Sequence, residues 1–139
     1  MPTLSLKHDT VSMLKFTRYL GLCFVFIYFF VGGIFHFTAT DFFVNIMPPY
    51  LPYHREIVYL TGVMEIAGAL SILLPAMQRL GGVFLFALTI AVTPANVHMW
   101  LNPHLFPEVE PVFLSVRLVL QVLLLAIIWF STHPPRKPV

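Results

Sequence analysis

The sequence predicts an all-α, polytopic membrane four-helix bundle, and three observations predict it. The 139 residues are 58% hydrophobic and only 10% charged, whereas a soluble domain of average composition carries roughly a quarter charged residues. Mean hydropathy is +0.85. Four apolar segments, 17–36, 57–77, 80–99 and 111–131, are each long enough to cross hydrocarbon about 30 Å thick at 1.5 Å per residue. Basic residues alternate between connections in the way that fixes orientation in a bilayer. Helices are the expected form, because open strands in lipid leave backbone groups unpaired at several kcal/mol each. Residues 1–139 read as one membrane domain whose first partner is the lipid bilayer.

The first segment follows a polar, basic start (Lys7, Lys15, Arg18) and runs free of charge from Tyr19 to Phe35, ending at His36. It is long for the apolar core of a signal peptide and no small-x-small site follows it closely, so it is expected to remain as the first helix. The second segment is broken only by Glu65 and the fourth only by Arg117. The third contains Pro94, which predicts a kink and frees the carbonyl of Ile90 for a replacement donor. The short turn at 76–81 makes the second and third helices antiparallel neighbours. The first and third helices each finish in a histidine, His36 and His98, a hint of a tandem two-helix repeat.

Orientation follows from the cations. Lys7, Lys15, Arg18, Arg79, Arg136 and Lys137 fall on one side, against Arg55 alone on the other, which predicts both termini in the cytoplasm. The two outer connections, 37–56 and 100–110, are rich in proline and aromatic residues. Tyr50, Tyr53 and Trp100 suit the headgroup level, and the loops are expected to lie on the membrane surface as a cap.

Composition also excludes functions. The net charge of +2 comes from the chain ends rather than from a basic stripe, so no nucleic acid partner is expected. Cys23 is the single cysteine, which rules out an intramolecular disulfide or a thiol relay within one chain. There is no Gly-rich phosphate loop, nucleophile elbow or CxxCH, and the chain is not expected to be an enzyme on its own.

Chemistry is expected where polar groups enter the apolar segments. An ionised group in hydrocarbon costs from about 2.5 kcal/mol upward and faces a protein partner. Glu65 and Arg117 lie at depths of about 13 and 9 Å from the outer ends of their helices at helical rise, which predicts a buried ion pair. His36, Asn96 and His98 lie within a turn of the outer ends of the first and third helices. With Glu65 and Arg117 they form a predicted outer-face polar pocket, with Gln121 a turn below Arg117. The stripes Tyr28, Gly32, His36 and Gly62, Glu65, Ala69 carry small residues that let helices approach closely. His36, His98 and Glu65 are metal-ligand types, but no one helix holds HxxxH or ExxH spacing, so no metal is expected.

An ordered series of motifs carries a family resemblance: Gly33-Ile34-Phe35-His36-Phe37, Asp41-Phe42-Phe43, Pro48-Pro49-Tyr50-Leu51-Pro52, Tyr59 to Gly68, and Pro94-Ala95-Asn96-Val97-His98-Met99. Together they resemble the DoxX-like branch of small bacterial membrane proteins. The resemblance implies four helices in the bacterial inner membrane, and it implies a subunit of a quinone-linked redox complex, since the name derives from a thiosulfate:quinone oxidoreductase subunit. A quinone is then the implied cofactor and a redox-complex protein the implied partner. A related maturation branch carries a cysteine pair, which the lone Cys23 does not supply. Two other readings stay open: a non-catalytic scaffold or assembly factor, and a small-solute or proton transporter that would require a homo-oligomer.

Overall fold

The computed structural model describes residues 2–134. Among them every regular element is helical. These are α1 (Pro2–Thr38), α2 (Thr40–Asn45), α3 (His54–Ser71), α4 (Gln78–Ala91), α5 (Thr93–Leu101) and α6 (Pro111–Thr132), with a 3-10 turn at Pro103–Leu105. Three stretches are long and apolar enough to cross a membrane: Thr10–Thr38, Gln78–Leu101 and Pro111–Thr132.

The predicted second segment needs correction. Its helix starts three residues early and stops at Ser71, with turns over 72–77 in place of the last helical turns. Pro75 is the reason: it has no N–H to give the Ser71 carbonyl, and its ring disfavours helical geometry at Leu74. The Ser71 carbonyl accepts instead from Leu74 N–H in a tighter turn at 3.2 Å, Gln78 Nε2 donates to Ile72 O at 3.3 Å, and Ser71 Oγ adds a second donor to Gly68 O at 2.7 Å. At 18 residues, about 27 Å long, α3 is the shortest of the four rods, and it carries Arg55, Glu56 and Glu65 in its length.

The third segment is broken, as Pro94 predicts, at Val92 between α4 and α5. The carbonyl that gains side-chain donors is that of Thr89 rather than Ile90: Thr93 Oγ1 donates to it at 3.1 Å and Gln121 Nε2 at 3.5 Å. The first helix extends back to Pro2 instead of beginning near residue 17, because residues 3–16 hold no proline or glycine to stop it.

Helix α1 packs on α3 and α6, and α4 packs on the same two, so the rods close a ring in which α3 and α6 occupy opposite corners. Both described ends of the chain lie at one end of this ring. There Arg18 donates through Nε and Nη2 to Ser131 O at 3.3 and 3.1 Å, tying α1 to the last turn of α6. Arg136 and Lys137, two of the cations expected on this side, lie outside the described residues, as does the Lys7 side chain.

The terminal half of the bundle is closed. Leu22, Val25 and Phe29 from α1, Ala69 and Ile72 at the end of α3, Leu85 from α4, and Leu124 and Ile128 from α6 form one buried cluster. Lipid tails are as apolar as these side chains, so close fit rather than water exclusion holds the rods together here. Gly82 packs directly against Thr132, leaving no room for a Cβ.

The loop end has a second, smaller core. Ile46, Met99 and Leu114 are buried with Phe43, Phe106 and Val109 packed on them, so residues of both long connections meet. Pro48 is fully buried and its carbonyl lies 3.1 Å from His54 Nε2. The first connection is therefore folded into the mouth of the bundle, with Tyr50 and Tyr53 left exposed, rather than laid wholly on the surface. Tyr53, entering α3, is in the left-handed region at φ 55 and ψ 47.

Candidate functional site

Two glycines set the site. At the crossing of α1 and α3, a Cβ on Gly33 would come within 2.8 Å of the Gly62 carbonyl and one on Gly62 within 2.7 Å of His36 Cβ. No larger residue permits this approach. His36 is three residues past Gly33 and Glu65 three past Gly62, so the contact brings one side chain from each helix face to face. His36 Nε2 is 3.8 Å from Glu65 Oε1, with both side chains largely buried.

The other edge of the imidazole is fixed. His36 Nδ1 lies 3.1 Å from Val58 O and 3.1 Å from Thr61 Oγ1. The Thr61 hydroxyl has carbonyl acceptors at Ile57 and Val58, at 2.9 and 3.0 Å. Phe43 of α2 covers the ring, with centroids 4.1 Å apart. Thr61 and Phe43 are functional neighbours that the predicted pocket missed. Thr61 was detectable, since it precedes Glu65 by four residues and so shares its face.

The opposite wall comes from α5 and α6. Arg117 Nη2 donates to Asn96 Oδ1 at 2.8 Å, Asn96 Nδ2 to Gln121 Oε1 at 2.5 Å, and Gln121 Nε2 to Thr93 Oγ1 at 2.5 Å. The Pro94 break thus feeds the site, because it frees the α4–α5 backbone and hydroxyls to anchor Gln121, which orients Asn96, which holds Arg117.

Between the walls lies a cavity of about 350 Å³ lined by His36, Thr61, Glu65, Asn96 and Arg117 and otherwise by apolar side chains such as Ile57 and Leu88. A second space of about 300 Å³ shares Tyr28, Glu65, Asn96 and Arg117 and runs toward Leu120 and Leu123 on the α1–α6 seam. A third, of about 420 Å³, follows Phe24, Ile27, Tyr28 and Val31 along the exposed face of α1 to His36 and Glu65. Tyr28 borders all three.

Four of the five predicted pocket residues come together: His36, Glu65, Asn96 and Arg117. His98 does not. Its Nδ1 lies 3.2 Å from Asn102 Nδ2 and its ring meets the edge of Phe106, because two residues along a helix turn a side chain about 200° away from Asn96. The direct Glu65–Arg117 ion pair is also corrected. Among the described residues the charged contacts within 4.0 Å are His36–Glu65 and Arg55–Asp41. Glu65 and Arg117 match in depth but belong to diagonal helices, so they face one another across the cavity instead of touching.

A family model described as a domain of unknown function (DUF8561) matches residues 25–132, and the chain belongs to that family. The match spans every residue of the cavity. Comparison with curated proteins finds no match, and comparison with solved structures finds none.

Proposed function

We propose that this chain is a four-helix inner-membrane protein, with both termini cytoplasmic, that holds the headgroup of a lipophilic quinone as the membrane subunit of a redox complex. One observation carries the reading: a cavity with a cation and a carboxylate on opposite walls, bordered by clefts that reach the apolar outer surface of α1 and the α1–α6 seam. A ligand dissolved in the bilayer reaches such a site sideways. Its volume is in the range of small-molecule pockets of mostly apolar lining with a few placed polar groups.

The donor set suits a ring with oxygens at opposite edges. The Arg117 N–H groups not given to Asn96 would hold one oxygen, while Glu65 and His36 would face the other. A bound quinone supplies two-electron, two-proton redox chemistry; the residues of this chain bind it, orient it and exclude water. The resemblance to DoxX-like proteins supports the same assignment. Orientation is supported by Lys15, Arg18 and Arg79 toward the terminal end, against Arg55 at the loop end, whose charge is matched by Asp41 at 2.6 Å. α3 would supply the fourth crossing, its short length offset by its place in the ring between α1 and α4.

The test is extraction into nanodiscs followed by mass spectrometry of bound lipophilic ligands. Quinone retained by the native protein and lost in Arg117→Gln is the expected result; native protein with neither quinone nor an associated electron-transfer protein overturns the assignment. A second reading, as a scaffold or assembly factor, is favoured by the fused loop core, which leaves Tyr50, Trp100 and Leu105 exposed around it. Under that reading Tyr50→Ala or Trp100→Ala abolishes a native complex while ligand content is unchanged. A transport reading draws less support, because the closed apolar cluster lies directly beneath the cavity.

A further inference from the structure

The hydrogen bonds around His36 determine which of its nitrogens carries hydrogen. Val58 O is an acceptor only, and it lies 3.1 Å from Nδ1. Thr61 Oγ1, also 3.1 Å from Nδ1, is placed to give its own hydrogen to Ile57 O or Val58 O. Both neighbours therefore ask Nδ1 to donate, and the neutral ring is the Nδ1–H tautomer. Its Nε2 then presents a bare lone pair to Glu65 Oε1.

Two acceptors facing each other across 3.8 Å have no hydrogen bond between them, which needs about 2.7–3.2 Å and a hydrogen. With no proton between them an anionic carboxylate meets a lone pair in a buried setting, which is unfavourable. With one proton, whether as carboxyl and imidazole or as carboxylate and imidazolium, the contact becomes attractive. With two, a buried imidazolium faces a neutral carboxyl and has no counter-charge in the pair, which is again unfavourable. The geometry selects the middle state.

We propose that His36 and Glu65 form a single-proton site, in which the pair carries one proton, on imidazole Nε2 or on the Glu65 carboxylate, while Nδ1 stays anchored to Val58 and Thr61. The pair shares its cavity with other groups. From α1 the titratable neighbour is Tyr28 and from α6 it is Arg117; the side chains offered by α2, α4 and α5, namely Phe43, Leu88 and Asn96, do not titrate. The role rests on the reading given above: for a hydroxyl-bearing headgroup in the cavity, this pair is where its proton is held, opposite the Arg117 cation. The tautomer and the shared proton do not depend on that ligand's identity.

The experiment uses ligand-free protein in nanodiscs, so loss of quinone retention and loss of the shared proton are separate results. ¹⁵N-histidine NMR across pH, with His36→Gln to assign the signal, reads both ring nitrogens, and infrared spectroscopy reads the Glu65 carboxyl stretch. Expected are an Nδ1 that remains protonated throughout, and an Nε2 signal that changes over the same pH interval as the carboxyl band. Glu65→Gln puts an amide N–H where the proton sits, so the His36 signal should lose its pH dependence or move by about one pH unit or more. An Nε2–H tautomer in the native protein, or a His36 titration left unchanged in Glu65→Gln, overturns the proposal. If Glu65→Gln does not fold, the native tautomer and the coincidence of the two native titrations decide alone.

Discussion

The terminal half and the loop half of this bundle use the same four rods for opposite ends. Below the cavity, Leu22, Phe29, Ile72, Leu85 and Ile128 form one buried cluster. Above it, the rods are held apart by a polar cavity and rejoined only by the small core of Ile46, Met99 and Leu114. The two glycine contacts mark the contrast. Gly82 against Thr132 closes the terminal half, whereas Gly33 against Gly62 closes two backbones so that His36 and Glu65 can meet in the other. Tight packing gives the fold its stability in one half and places a buried histidine–carboxylate pair in the other.

Substitutions should separate these two roles. The largest effect is expected in the closed half: Leu85→Ala opens a void in the main cluster and should cost about 3 kcal/mol, read by steric-trap or denaturant unfolding, with bound-ligand content per folded molecule unchanged. A loss of ligand at equal folded yield would show that the halves are not separable. Gly62→Ala comes next, at about 2 kcal/mol from overpacking, and unlike Leu85→Ala it should also lose the His36–Glu65 contact and with it ligand retention.

Double-mutant cycles sharpen the picture inside the cavity. His36→Gln and Glu65→Gln should couple by about 1 kcal/mol, whereas Glu65→Gln and Arg117→Gln should add to within about 0.5 kcal/mol. The reverse order would restore the direct Glu65–Arg117 pair. The smallest effect belongs to the cap: Tyr53→Gly relieves a left-handed backbone at φ 55, and after the entropy of the added glycine should stabilise by about 0.5 kcal/mol. No change in thermal midpoint would mean the loop relaxes that strain elsewhere.

Much of the site was legible. Glu65 and Arg117 stand out as charges in apolar runs, and the stripe Tyr28, Gly32, His36 follows from helical spacing. The misses have physical causes. Depth groups Asn96 with His98, although their spacing turns them to different sides of α5. Depth likewise pairs Glu65 with Arg117, although it says nothing of lateral position. The early end of α3 was written in Pro75, which hydropathy alone overlooks.

By itself the sequence determined an all-helical chain, three of the four long apolar helices it predicts and the level at which polar groups enter them, because these depend on local composition and on the fixed rise of a helix. Only the tertiary structure decided that α3 and α6 lie diagonally, that His36 rather than Arg117 is the neighbour of Glu65, and that both loops share one core. Those outcomes depend on which helix faces touch, and in this chain glycine contacts between residues far apart in sequence choose the faces.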